Sequence, residues 1–382
     1  MSTDTPDFLA PVFAQYPLEV DRADGVWLYT PEGRRVLDMY GGHAVAALGY
    51  GHQGWLRALT EQAQRVAFQT NAVPMDVRRR AAARLIRFSG LPFRSVFFIN
   101  SGAEANENAL KMAFAMNPGR EEVIALEQGW HGRTAGAAAL SWGSAGKWYG
   151  YPRLPFDVKF IPRSGLEGLA QITERTAAVI VEPVQGVGGA YDVGTELLEA
   201  LRRRCDETGA ALIFDEVQCG MGRTGHPFGA NCYGVMPDLL TTAKALGNGF
   251  PCSALLLGER AAAAVKMDAM GTTFGAGPMA CAVIEAVIDA IENEELLANV
   301  QRVSAYIRRS CVVGPVTGMQ GEGFLLGLKT RVPAKLVQKA LLEADILCGT
   351  SGDPSILRLL PPFILKEAHV DLLAEALARL EL

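Results

Sequence analysis

Three short stretches combine residue types that could do chemistry. In Ile99-Asn100-Ser101-Gly102-Ala103-Glu104 an apolar run stops, a small polar turn follows and a helix-like segment begins. Ser101 stands three residues before Glu104, the spacing of a capping box, in which each side chain takes up the other residue's backbone N–H. The same turn could cradle a phosphate, because Gly102 and Ala103 would leave N–H groups free at a helix N-terminus, which attracts anions. Both readings stay open on these residues alone.

The second stretch, Leu212-Ile213-Phe214-Asp215-Glu216-Val217-Gln218, runs an apolar strand straight into paired carboxylates and an amide. Such a pair could be a metal site, a general acid–base pair or a polar loop. The third, Leu239-Leu240-Thr241-Thr242-Ala243-Lys244, ends at a lysine and departs through Gly247-Asn248-Gly249. A lone lysine is ordinarily a surface residue. With an apolar approach and a glycine-rich exit, this one could project into a cleft. An amine desolvated there has a lowered pKa and can become a nucleophile.

Together the three match one chemical need. Pyridoxal 5′-phosphate requires an anion site, a lysine for its Schiff base and an acid beside its pyridine nitrogen. Ser101–Ala103, Lys244 and Asp215 offer these, and Trp130-His131-Gly132-Arg133 adds an aromatic face able to stack on the ring. A rival motif is Gly220-Met221-Gly222-Arg223-Thr224-Gly225, which fits the dinucleotide pattern and has Asp238 downstream. That pattern needs a helix opening at the glycines, whereas His226-Pro227-Phe228-Gly229 favours a turn.

The elements that must position these residues follow from the apolar rhythm. Runs at Val96–Ile99, Val123–Leu126, Val158–Ile161, Ala178–Val181, Leu212–Phe214, Leu239–Thr242 and Ala254–Leu257 read as buried strands. Helix-like segments such as Glu104–Met116 and Thr195–Thr208 lie between them. Alternation of this kind predicts an α/β fold, a mostly parallel sheet covered by helices on both faces. Ligands of such sheets bind beyond the carboxyl ends of the strands, where all three stretches fall. The later part is helix-rich, with short strand-like runs at Gly323–Leu328 and Ile356–Leu360, and reads as a smaller α/β domain. The expected division is an N-terminal segment, 1–50, packing with a small domain at 278–382, and a large domain at 51–277.

Whole-chain properties agree. At 382 residues the chain exceeds the size at which one core usually stops growing. A net charge of −5 argues against a nucleic-acid partner, because phosphate backbones select basic surfaces. The clusters Arg78-Arg79-Arg80 and Arg202-Arg203-Arg204 fall in helix-like stretches and read as solvated faces. No run of eighteen apolar residues suggests a membrane span, and the acidic start Met1–Asp7 does not resemble a signal peptide. Seven irregularly spaced cysteines fit neither a disulfide framework nor a zinc site, so no metal and a cytoplasmic location are expected.

The chain resembles the class III (ornithine-type) aminotransferases of the fold-type I pyridoxal enzymes, nearly end to end. The resemblance is carried by Asn100–Ala105, Trp130–Thr134, Glu182-Pro183-Val184-Gln185-Gly186, Phe214–Gln218, Lys244 with Gly247–Gly249, and Gly271-Thr272-Thr273-Phe274-Gly275. It implies that Ser101, Gly102 and Ala103 hold the cofactor phosphate, that Trp130 stacks on the ring with His131 beside it, and that Asp215 pairs with the ring nitrogen. Gln218 would contact the phenolic oxygen, and Lys244 would hold the cofactor and shuttle the proton. Thr272 and Thr273 would reach the phosphate of a neighbouring subunit, which implies a homodimer with sites at the interface.

Within that family the chain is most similar to the arginine-biosynthetic branch, which acts on N-acyl-ornithines with 2-oxoglutarate. Tyr40-Gly41-Gly42-His43-Ala44-Val45 and Ile356–Pro362 support this. The resemblance implies that Arg133 and Arg358 clamp carboxylates, and that Glu182, His43 and Asn71 contact substrate. Other pyridoxal chemistries (ornithine or 4-aminobutyrate aminotransfer, aminomutase, racemase) would show the same lysine, acid and phosphate site. Two departures matter. Val187 stands where the family usually has a glutamate that masks the arginine at the Arg358 position, and His43 stands where ornithine aminotransferases carry a substrate-binding tyrosine. Gly275-Ala276-Gly277 also replaces the usual Gly-Gly-Asn, a change without a physical account.

Overall fold

The computed structural model describes residues 8–382; the acidic start, Met1–Asp7, lies outside the described residues. The central sheet has seven strands in the order Ser95–Ile99, Ser253–Leu257, Leu239–Thr242, Ala211–Asp215, Thr176–Val181, Glu122–Leu126 and Asp157–Ile161. Each apolar run read as a strand of this sheet is one, with ends shifted by at most two residues. Along the five strands between the sheet's edges every residue is buried, which is why they read as unbroken apolar runs. Alternate residues serve opposite faces. Val123 and Ala125 pack with Ala105 and Ala109 of helix Gly102–Met116, while Ile124 and Leu126 share a core with Leu197 and Leu201 of helix Thr195–Thr208.

One strand reverses. Ser253–Leu257 is antiparallel to both neighbours, and the other pairings are parallel. An apolar run carries no direction, so the sequence could not have shown this.

The start of the chain packs against its last third. Strands Arg22–Asp24, Trp27–Tyr29 and Arg35–Asp38 form a meander, and Arg35–Asp38 pairs in parallel with Ile346–Leu347. A second four-stranded sheet holds Val316–Glu322, Leu325–Thr330, Ile356–Leu359 and Gly349–Thr350. The strand expected from Gly323 begins instead at Leu325, because Gly323, at φ +54°, lies in the hairpin turn. Helix Pro278–Asn293 opens on a proline in its first turn, where a missing N–H costs nothing, and packs on helices Gln53–Val66 and Asp76–Ser89. Among the described residues no helix is long and apolar enough to cross a membrane. None of their His, Cys, Asp or Glu side chains gather in threes as a metal site would require.

Candidate active site

A cavity of about 330 Å³ opens at the carboxyl ends of the central strands, lined by Ser101–Ala103, Trp130, His131, Asp215, Gln218 and Lys244. They come from the ends of four strands, Ser101–Ala103 after Ile99, Trp130 and His131 after Leu126, Asp215 and Gln218 at and after the end of Ala211–Asp215, and Lys244 after Thr242, so the sheet itself brings them together.

At the first turn the capping box is formed, in a way compatible with the phosphate reading. Ser101 Oγ accepts the Glu104 N–H at 3.2 Å, and Glu104 Oε2 accepts the Ser101 and Asn100 N–H groups at 2.9 and 3.2 Å. The capping box thus fixes the turn and leaves the N–H groups of Gly102 and Ala103 without protein partners at the cavity wall. Position 102 has to be glycine, since a Cβ there would lie 2.7 Å from Val217 Cγ1.

The paired acids separate in role. Asp215 is 3% exposed and lines the cavity. Its Oδ2 lies 2.7 Å from His131 Nδ1 and 2.8 Å from Asn106 Nδ2, while Oδ1 accepts the Val217 N–H at 3.1 Å. Asn106 is itself oriented, its Oδ1 accepting from Thr241 Oγ1 at 2.7 Å. Glu216 turns the other way and accepts the N–H groups of Gly229 and Ala230 at the start of a short helix. Burial pushes its carboxyl up to about 7. It is a structural cap, so Asp215 and Glu216 do not form a metal pair.

Lys244 is half-buried with its amine toward the cavity, and its backbone sits at φ +45°, a left-handed conformation costing about 1–3 kcal/mol outside glycine. Burial pushes the ammonium pKa down; the Asp215 and Glu182 carboxylates oppose that shift and the Arg358 charge adds to it. An amine held this way loses its proton more readily than a surface lysine.

Buried polar atoms without partners mark what the cavity would hold. Gln218 Oε1 and Nε2 are both buried and unpaired, as is His131 Nε2. Room for the Gln218 amide comes from Gly186, where a Cβ would fall 1.6 Å from Oε1. Free N–H groups at a helix N-terminus, a carboxylate held by two donors, an unpaired amide and a lysine of lowered pKa fit pyridoxal phosphate, with its anionic phosphate, basic ring nitrogen, phenolic oxygen and aldehyde.

The proposed substrate residues are placed less uniformly. His43 lines the cavity. Glu182 does too, but both its oxygens are committed, to the Trp130 N–H at 2.8 Å and the Gly186 N–H at 3.1 Å. Its carboxyl is raised by burial and by the Asp215 charge. Arg133 is exposed and lies over two aromatic faces, 4.7 Å from the ring centre of Trp148 and 5.3 Å from that of Trp130. Arg358 is 4% exposed, and among the described residues no carboxylate lies within ion-pair reach of it. Its guanidinium donates to Thr350 O, Gly186 O and Tyr40 Oη at 2.7, 3.1 and 3.2 Å. Val187 lines the cavity, so the Gly186 carbonyl, not a side chain at 187, meets Arg358.

Asn71, Thr272 and Thr273 lie outside the cavity of their own chain. Asn71 donates to the carbonyls of Thr272 and Gly275, and Thr272 Oγ1 accepts from Asn100 Nδ2 at 3.2 Å. Thr273 is exposed beside Phe274, which is 66% exposed. The Gly220–Gly225 stretch forms turns, and the next helix starts only at Gly229, so the dinucleotide motif lacks its helix. Sequence reasoning missed Tyr40, Asn106, Thr241 and Trp148 as parts of the site. Asn106 carried a usable signal, one helical turn beyond Gly102.

Comparison with known proteins gives a consistent picture. The sequence profile of Aminotransferase class-III matches residues 9–380. Acetylornithine aminotransferase of Mesorhizobium japonicum is 38% identical, covering 96% of this chain and 94% of that protein. The mitochondrial acetylornithine aminotransferase of Alnus glutinosa is 36% identical, with 97% and 84% covered. Among solved structures, the ornithine aminotransferase from Toxoplasma gondii ME49 superposes with a TM-score of 0.90 at 26% identity, covering 97% of this chain and 92% of that one. A PLP-bound amine transaminase from an uncultivated Pseudomonas species gives 0.88 at 25%, with 97% of each chain covered.

Proposed function

The chain belongs to the class III aminotransferases, and from that premise we propose that it transfers the δ-amino group of an N-acyl-ornithine, acetyl or succinyl, to 2-oxoglutarate. The products are N-acyl-glutamate 5-semialdehyde and glutamate, a step of arginine biosynthesis. The observation that carries this reading is the run of relatives named acetylornithine aminotransferase, 35–38% identical along at least 96% of the chain.

The enzyme uses pyridoxal 5′-phosphate. Bound, the cofactor supplies an aldehyde that condenses with amines and a ring that accepts electron density from the substrate carbon. In our reading Gly102 and Ala103 bind the phosphate through backbone N–H groups and Trp130 stacks on the ring. Asp215 holds the proton on the ring nitrogen, and Gln218 fills its open valences on the phenolic oxygen. The Lys244 amine would move the proton to and from the reacting carbon. Arg133 and the Arg358 wall orient the carboxylates of donor and acceptor.

We read the active form as a homodimer. Phe274 and Phe68, 66% and 45% exposed, lie with ring centres 5.3 Å apart and planes tilted by 53°, next to Thr272 and Thr273. A pair of exposed aromatic rings, beside a loop with two hydroxyls, suits a second copy of the chain. Seven free cysteines fit the cytoplasm.

The test is to mix the purified yellow protein with N-acetyl-ornithine, N-succinyl-ornithine, ornithine and 4-aminobutyrate separately, without acceptor, and to follow the cofactor absorbance. Rapid bleaching by one acyl-ornithine identifies the donor. Bleaching only by ornithine or 4-aminobutyrate keeps the family and overturns the substrate.

A further inference from the structure

Four consecutive residues, Gly41 to Ala44, sit at φ +56°, +55°, +70° and +67°. A left-handed turn that includes two side-chain-bearing residues needs support from outside. It has it. Asp38, wholly buried, accepts the N–H groups of Tyr40 and Gly41 at 2.8 Å, and buried Arg223 reaches Ala44 O at 3.4 Å. Gly41 is required where a Cβ would lie 2.6 Å from Leu360 O. The turn therefore holds the His43 side chain at the cavity wall by design of its surroundings.

Behind His43 stands Tyr40, and behind Tyr40 stands Arg358. Arg358 Nη2 lies 3.2 Å from Tyr40 Oη, which lies 2.6 Å from His43 Nδ1. The proton positions follow from the inventory of donors. A guanidinium can only donate, so Tyr40 Oη accepts from Arg358 and has its one hydrogen left for His43 Nδ1. Nδ1 is thereby an acceptor, and the neutral ring carries its hydrogen on Nε2. Protonation is opposed by burial in the cleft wall and by the charges of Arg358 and Lys244, which push the imidazole down to about 3. His43 is also exposed to the cleft, where solvent softens the desolvation; the two cations still favour the neutral ring. Gly349 completes the arrangement. It pairs across the sheet with Arg358, and a Cβ there would lie 1.9 Å from the Tyr40 ring.

We propose that Tyr40 is a positioning residue that relays the Arg358 charge to His43 and fixes His43 as an Nε2–H donor to a carboxylate oxygen of the substrate. Arg358 stands behind Tyr40 and is not among the residues lining the cavity, whereas His43 is. The inference rests on the reading that the substrates carry carboxylates, and it adds the group that meets one of them. It also gives Arg358 a fixed, carboxylate-free partner in a chain with Val187 in the wall.

The test begins with side-chain 15N–1H spectra of the holoenzyme, which has five histidines, with His43→Gln assigning the His43 signal. The expected result near neutral pH is a neutral Nε2–H tautomer that is lost or mixed in Tyr40→Phe. An imidazolium, an Nδ1–H tautomer, or a signal indifferent to Tyr40→Phe overturns the proposal. In kinetics, Tyr40→Phe should raise KM for 2-oxoglutarate about tenfold, more than it lowers kcat, the loss expected of one hydrogen bond to a charged group. His43→Gln, which keeps an N–H donor, should stay closer to the parent than His43→Ala. Equal losses in those two variants would also overturn it. If the spectra behave as expected while no acyl-ornithine is a donor, the substrate reading fails and the relay stands.

Discussion

His131 Nδ1 lies 2.7 Å from the Asp215 carboxylate, and the two side chains are 1% and 3% exposed. Asn106 donates to the same oxygen, Oδ2, at 2.8 Å. Two donors on one oxygen lock the carboxylate, and the other oxygen accepts the Val217 N–H. Asp215 is thus pre-aimed before any ligand arrives.

Charge and aim can be separated by mutation. Asp215→Asn keeps the shape and removes the charge, and should lower kcat by about 10²–10³-fold, the usual cost of one preorganised electrostatic group. Asn106→Ala keeps the charge and frees the aim; its loss should be smaller, about tenfold, one hydrogen bond to an ion. Steady-state kinetics on cofactor-saturated protein checks the ranking. Equal losses would mean that Asp215 needs its neighbours as much as its charge.

Lys244 gives a pH signature in the cofactor-free protein. Its pKa is lowered on folding by burial, so between the folded value and the ordinary 10.5 the unfolded chain binds the extra proton. Stability therefore rises with pH across that window, and below it the buried ammonium is a full cost. Lys244→Met removes that cost. The variant should melt higher than the parent at neutral pH, with a gap that narrows as pH climbs toward 10.5. A gap that stays constant with pH would point to packing and not to the charge. In the loaded enzyme the same substitution should abolish turnover by at least about 10²–10⁴-fold, the worth of a positioned proton carrier, while cofactor is still held through Gly102 and Ala103.

Much of this site was legible because it hangs on buried strands. A strand covered on both faces must be apolar throughout, so its end is visible where polar residues resume, as at Ser101, Asp215 and Lys244. What stayed hidden depends on contacts remote in sequence or on backbone direction. Tyr40 and Arg358 are 318 residues apart, and nothing local to either names the other. The reversal of Ser253–Leu257 leaves no trace in composition. Trp148 lies in a stretch without period, and only the fold sets it over Arg133.

Gly186 offers a test of cofactor contact that touches no polar group. A Cβ there would meet Gln218 Oε1 at 1.6 Å, so Gly186→Ala must push the amide out of place. Gln218 has no other partner to fall back on. Gly186→Ala and Gln218→Ala should each weaken cofactor binding about tenfold, measured by fluorescence titration of the cofactor-free protein. The double variant should be no worse than either single, because both remove the same contact. Additive losses would place the effect of Gly186 elsewhere, most directly in its carbonyl contact to Arg358.

Arg133 is held by the faces of Trp130 and Trp148, and among the described residues no carboxylate lies within ion-pair reach of it. An exposed cation–π contact is worth about 0.5–1 kcal/mol, enough to bias a long side chain toward one rotamer without tying up its donors. Trp148→Ala should therefore raise KM for a carboxylate substrate by about two- to fivefold and leave cofactor affinity alone. Arg133→Lys keeps the charge but loses the planar fork, and should cost more than Trp148→Ala does. In the Arg133→Lys background, Trp148→Ala should then add little, since the contact it removes is already weakened. A Trp148→Ala effect that persists undiminished there would mean the indole meets the substrate directly, as a wall of the acyl pocket.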